Sequence, residues 1–229
     1  GYLDWYSYCD MDGNTAITTI GVDIAASLGL VCVTSAGNWA NEDPPEDPCE
    51  SLSYYISAPA DADSVIAVGA VSADSLIVYF SSRGPSYDGR IKPEVSTLGV
   101  NVAAANPAGG YSVFYSGTSA SSPLVAGAAA VLLSANPQWT NMEIREALMM
   151  TASQADIPNN DYGYGLVNIW SALFYNYSGS TITTQHPASF SLHTAYPNPF
   201  NPAVTLAVSV ARLSLVNITI LDINGRLIT

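Results

Sequence analysis

Apolar residues along the first three quarters of this chain fall into short blocks bounded by turn sequence. After Asp10-Met11-Asp12-Gly13-Asn14, a turn, a helix is predicted from about Ala16 to Leu28, with Gly29 as its stop. Leu30 to Thr34 then reads as a short buried strand, Ser64 to Val71 as the next and Asn101 to Ala105 as a further one. A helix followed by an apolar strand is the unit of a parallel α/β sheet, because the crossover helix covers one face of the strands it connects. Ser121 to Ser134 carries Pro-Leu-Val-Ala-Gly-Ala-Ala-Ala-Val-Leu-Leu without a charge, which predicts a helix that is apolar on all sides and therefore buried. Thr140 and Glu143 make a capping box for a helix over Asn141 to Met150, and Tyr162-Gly163-Tyr164-Gly165 leads into a last helix, about Leu166 to Tyr175. Between the first two strands, Asn41 to Glu50 is acidic and proline-rich, hence a surface loop.

The pattern changes beyond residue 177. Residues 178–194 are rich in serine and threonine, nearly uncharged, and read as a linker. Residues 195–229 hold two alternating runs, Val204 to Val210 and Leu215 to Leu221, followed by the hairpin signal Asn224-Gly225. They predict the start of a small β-sandwich module with too few strands to close.

At 229 residues the chain can hold one sizeable core and a small second module. With 48% hydrophobic and 11% charged residues it is a folding sequence and not a disordered one. A net charge of -13, from 6 basic against 19 acidic residues, argues against nucleic acid or an anionic membrane as partner; solubility is its plainer meaning. No apolar run reaches the roughly 18 residues of a membrane span, and Gly1 opens no charged-then-apolar leader. Three cysteines are too few and too odd in number for a disulfide framework. Cys32 reads as a buried thiol. Cys9 and Cys49, both in loop-like sequence, are favoured as unpaired, with a bridge between them the lesser alternative for an extracytoplasmic chain.

The chemistry concentrates at Gly117-Thr118-Ser119-Ala120-Ser121-Ser122-Pro123-Leu124-Val125-Ala126-Gly127. Here a serine stands at the head of an apolar helix, near the positive end of the helix dipole and on rigid scaffold. It is a candidate nucleophile; on the residues alone an N-capping serine is an equal alternative. Asn38, in Thr34-Ser35-Ala36-Gly37-Asn38, follows a buried strand at the place where α/β enzymes bind ligands, although a turn asparagine beside glycine is the commoner role.

Gly-Thr-Ser-x-x-x-Pro-x-Val-Ala-Gly resembles the nucleophile motif of the subtilisin-like serine peptidases, the subtilases, with Ser119 at the nucleophile position. Ala120 stands where that family usually has methionine and Leu124 where it usually has histidine, both packing positions. Ser35-Ala36-Gly37-Asn38, about 80 residues earlier, resembles the family's oxyanion segment. Val65-Ile66-Ala67-Val68-Gly69-Ala70, Phe80-Ser81-Ser82-Arg83-Gly84-Pro85, Gly89-Arg90-Ile91-Lys92-Pro93-Glu94-Val95 and Tyr162-Gly163-Tyr164-Gly165 match in order as well. The resemblance covers about residues 1 to 176. It implies a three-layer α/β fold around a mostly parallel sheet, incomplete at its N-terminus, and a serine endopeptidase acting on polypeptides. Ser119 would be the nucleophile, Asn38 the oxyanion donor, and Ser35, Ala36 and Gly37 a wall of the primary specificity pocket. No cofactor is required for such chemistry and no metal ligands are assigned; structural calcium is left open.

Subtilases order their triad Asp, His, Ser. The 37 residues before Asn38 contain no histidine, and Asp4, Asp10, Asp12 and Asp23 lie in no context resembling the catalytic aspartate. His186 and His193 sit in the linker, which cannot hold an imidazole to the required fraction of an ångström. The chain is therefore expected to begin within the catalytic domain and to be inactive alone. Alternatives are a sedolisin-type serine-carboxyl peptidase, a pseudoprotease, or a cell-surface binding module. Asn38 in place of the aspartate that sedolisins use at the oxyanion position argues against the first. Ala195-Tyr196-Pro197-Asn198-Pro199-Phe200-Asn201-Pro202 resembles the opening of the C-terminal sorting domains of bacterial type IX secretion, which implies a secreted or cell-surface protein that meets secretion machinery. Asn176-Tyr177-Ser178 and Asn217-Ile218-Thr219 fit a glycosylation pattern that arises often by chance, and carry no role.

Overall fold

A computed structural model of the chain describes residues 6–41, 43–50, 53–175, 191–192, 208–209 and 226. The chain divides into two units, Gly1–Tyr177 and Ser178–Thr229. In the second, the described elements are β6 (Ser191–Leu192) and β7 (Val208–Ser209), which pair antiparallel. The linker over 178–194, the β module with its Asn224-Gly225 hairpin, His186, His193, Asp4 and the two glycosylation-like motifs otherwise lie outside the described residues.

The first unit is a three-layer α/β structure. Its centre is a parallel sheet in the order β1 (Val33–Ser35), β2 (Ile66–Val71), β3 (Val95–Leu98). Every residue of β2 is buried, because its side chains alternate between two cores. Ile66 and Val68 join Val95 in a cluster with Val125, Leu132, Ile144 and Leu148 of α2 (Thr118–Ala135) and α3 (Asn141–Met150). Val65 and Ala67 face the other way, into a cluster with Ala36, Ile56 and Ala62, against which Val22 of α1 (Ile17–Ser27) packs. A two-stranded antiparallel hairpin, β4 (Val102–Ala105) and β5 (Tyr111–Tyr115), runs directly into α2, and a short α4 (Ile169–Leu173) closes the unit.

The local signals acted as physics requires. Gly29 takes a φ of 92° just past α1, a left-handed conformation open to glycine. Asn141 then donates to the carbonyls of Ala26 and Leu30, satisfying the orphan end of α1. Thr140 and Glu143 form the capping box, with Glu143 N–H donating to Thr140 Oγ1 at 3.2 Å and Thr140 N–H to Glu143 Oε2 at 2.6 Å.

Three expectations are corrected. The helix over the nucleophile motif is buried on one face only: Leu124, Val131 and Leu133 are exposed, because the sheet and α3 cover a single side of it among the described residues. It is also 18 residues long and apolar enough, by length and composition, to cross a membrane; seven buried residues and its packing on all three parallel strands make it a core helix. Cys9 and Cys49 are bridged, not free; Cys32 alone is a free thiol, half-buried. The first two lie in short 3-10 turns, Tyr8–Asp10 and Pro48–Glu50, and the bond fastens the acidic loop to the N-terminal segment.

Candidate active site

Ser119 is the second residue of α2, and Gly117 precedes the helix as its cap with a φ of 146°. Glycine is needed there to turn the chain out of β5, and its N–H is fastened to Gly99 O at 2.8 Å. Ser119 is exposed, while Thr118 and Ala120 on either side are buried. As one of the first N–H groups of a helix, that of Ser119 lacks an intrahelical partner, and it makes no hydrogen bond among the described residues.

Asn38 reaches the same place from the sheet. Ala36, fully buried, extends the β1 ladder by donating to Val68 O at 3.0 Å; Gly37 then turns with a φ of 118°, leaving Asn38 exposed at the strand's end. Its side-chain oxygen accepts from Thr118 N–H at 2.9 Å and lies 3.0 Å from the Thr118 hydroxyl. With the oxygen so held, the amide nitrogen is the free end. A Cβ placed on Gly117 would lie 3.5 Å from Asn38 Nδ2 and 3.7 Å from Ser119 N. Two unengaged donors therefore border the space that Gly117 leaves empty. A pair of amide donors at a helix N-terminus can stabilise a developing oxyanion. No charged residue or histidine occurs in the sequence between Glu94 and Glu143.

Ser35, Ala36 and Gly37 lie in line behind Asn38: Ser35 half-buried at the end of β1, Ala36 buried, Gly37 half-buried against Ser82. They share one strand end with the donor. A base is not found: no histidine occurs among the described residues. The early aspartates are engaged elsewhere. Asp10 caps Ser7, Asp12 accepts from Asn14 and Thr15, and Asp23 accepts from the N–H groups of Asp63 and Ser64. Among the described residues no group of three or more histidine, cysteine or acidic side chains is placed to hold a metal ion.

Thr118 was missed in the sequence as a contributor. Its hydroxyl lies 3.0 Å from Asn38 Oδ1, 3.2 Å from Gly37 O and 3.3 Å from Gly37 N, pinning the strand end to the helix. The signal lay in the Gly-Thr-Ser string itself, where a hydroxyl at the first helical position beside the candidate nucleophile can hydrogen-bond to a neighbouring strand end. Ser121 was missed for the same reason: its hydroxyl donates toward Thr97 O and Leu98 O, fixing the helix on β3.

Comparison with known proteins finds the following similarities. The model of the subtilase family matches residues 6–165. Subtilisin E from Bacillus subtilis (strain 168) is 40% identical over 161 residues, which are 70% of this chain and 38% of that protein. Subtilisin from Bacillus pumilus is 39% identical over 160 residues, 70% of this chain and 52% of its own length. The chain thus spans about half or less of these relatives. Among solved structures, the self-cleaved protease domain of PatA is similar with a TM-score of 0.54 at 26% identity, over 67% of this chain and 52% of that one. MycP3 protease from the type VII (ESX-3) secretion system gives 0.54 at 27%, over 66% and 46%.

Proposed function

The chain belongs to the subtilase family, and from that premise we propose that it carries the nucleophile half of a serine endopeptidase site, the catalytic histidine and aspartate being supplied by sequence upstream of Gly1. Ser119 Oγ attacks the scissile carbonyl of a polypeptide while the upstream histidine takes its proton. The carbonyl oxygen, now negative, is received by Ser119 N–H and Asn38 Nδ2. The intermediate collapses as the protonated histidine returns its proton to the leaving amine, leaving an acyl-enzyme on Ser119, and water then releases the acid by the same steps. Ser35, Ala36 and Gly37 would flank the side chain before the cut bond.

The observation that carries this proposal is the convergence of Asn38 Nδ2 and Ser119 N on the space beside Gly117. The exposed apolar residues Ile17, Ile20 and Ile24 on α1, and Val131 and Leu133 on α2, are further support, since the proposed upstream part of the domain would pack against such surfaces. A fluorophosphonate probe tests it. Ser119 in the isolated chain should resist labelling and Ser119 in the intact protein should label rapidly; rapid labelling of the isolated chain, or none of the intact protein, refutes one half or the other.

We propose the division 1–177 catalytic portion, 178–194 linker and 195–229 sorting or anchoring module, with export from the cell. The Cys9–Cys49 bridge supports an oxidising destination. Intact protein found in the cytoplasm at steady state would refute export.

A further inference from the structure

The proposed oxyanion donor is gripped by a second residue that neither motif contains. Ser82 is fully buried between Phe80-Ser81 and Arg83-Gly84, in a segment that threads past the end of β1. Its backbone N–H donates to Gly37 O at 2.9 Å, and its Oγ accepts from Trp39 N–H at 3.1 Å. One residue thus holds the peptide groups on both sides of Asn38. The contact is close: a Cβ on Gly37 would lie 2.7 Å from Ser82 Oγ, so the turn rests directly on the serine. The segment is itself anchored, with Ala40 N–H donating to Phe80 O, Arg83 N–H to Tyr54 O and Ile56 N–H to Arg83 O.

Thr118 fixes the side-chain oxygen of Asn38 from the helix, and Ser82 fixes the backbone that carries the side chain. Both are needed geometrically, because a free amide nitrogen is aimed only if the Cα it hangs from is also fixed. Displacements of a few tenths of an ångström matter for a donor that must meet an oxyanion at about 2.7–3.1 Å.

We propose that Ser82 is a positioning residue for the oxyanion site, acting through the Gly37-Asn38-Trp39 turn. It depends on Asn38 being the oxyanion donor, and the test separates the two. In the intact protein, kcat and KM for a peptide substrate are measured for Ser82→Ala, Asn38→Ala and the double variant, with kcat normalised to sites titrated at end point by a fluorophosphonate. Expected are a loss in kcat of five- to thirtyfold for Ser82→Ala with KM changed less than twofold, a larger loss for Asn38→Ala, and less than a further twofold when Ser82→Ala is added to Asn38→Ala. An unchanged kcat per titrated site in Ser82→Ala, even with a lowered Tm, makes the serine merely structural and overturns the proposal. Fully additive losses overturn it as well, since Ser82 would then act by another route. If Asn38→Ala itself leaves kcat unchanged, the oxyanion assignment fails first and takes this role with it.

Discussion

At Gly117 the backbone φ of 146° strains any L side chain, and a Cβ would lie in contact with both amide donors. Gly117→Ala should therefore lower stability by about 1–3 kcal/mol and, independently, obstruct the oxyanion space. Thermal melts report the first effect, and kcat per titrated site in the intact protein reports the second; normal turnover per site would place the oxyanion elsewhere. Asp61 gives a residue-scale prediction of another kind. It is buried, and desolvation raises its pKa despite the hydrogen bonds it accepts from Thr19 Oγ1 at 2.6 Å and Gly13 N–H at 3.0 Å. A carboxyl that binds its proton more tightly when folded contributes stability that is complete below the unfolded value and lost as pH rises through the raised folded one. Asparagine keeps the neutral shape, accepting from Gly13 and donating to the Thr19 hydroxyl. The Tm of Asp61→Asn relative to the parent should thus be near zero at about pH 3.5 and increasingly positive toward pH 7. A difference that shrinks with rising pH would contradict the sign.

Elements are joined here by one buried ionic knot. Glu94, leading into β3, accepts from Lys92 Nζ and Arg145 Nη2, each at 2.8 Å on Oε1, and from Ala67 N–H at 2.8 Å on Oε2. Lys92 also donates to Ala62 O, and Arg145, from α3, to Val65 O. Burial pushes the Lys92 pKa down, so its charge depends on this company. Glu94→Ala strands a buried ammonium and should cost about 3–5 kcal/mol, read as a fall in urea midpoint. Local periodicity had disclosed β2, α3 and the capping box, because each is decided by residues within a turn or two of one another. It did not disclose the Cys9–Cys49 pair, 40 residues apart, nor Ser82 beneath Asn38, because chain separation hides which loops meet. The open side of α2 was misread for a related reason: an uncharged helix is consistent with burial, but only neighbouring elements decide which faces are covered. Reduction of the disulfide should release the acidic loop at a cost of about 3–4 kcal/mol by loop entropy. The check is proteolytic nicking within residues 41–50, rapid after reduction and slow before it; equal rates would mean that the bridge does not restrain the loop.

For the whole molecule, the decisive ratio is that this chain covers 38% of Subtilisin E while containing both proposed oxyanion donors and the proposed nucleophile. A triad acts as a unit: in enzymes of this kind, removing the base alone lowers kcat by roughly 10⁶-fold, leaving only what binding and the oxyanion site provide. An isolated chain without a usable histidine should therefore be deficient in proton transfer while its oxyanion geometry persists. Loss of the base and loss of the surrounding sheet are separable by adding the proposed upstream segment in trans. An edge strand leaves backbone hydrogen-bonding groups unpaired, and among the described residues β1 is one of the two edge strands of its sheet, bordered by an apolar groove between Leu30, Val33 and Leu133. A complementing segment that supplies strands to that edge would bury the exposed isoleucines and leucines and bring the histidine to Ser119 together. Fluorophosphonate labelling of Ser119 and an increase in Tm should then appear at the same concentration of added segment. Stabilisation without labelling would locate the base outside that segment, whereas labelling without stabilisation would mean that the base reaches Ser119 by a route other than completion of the sheet.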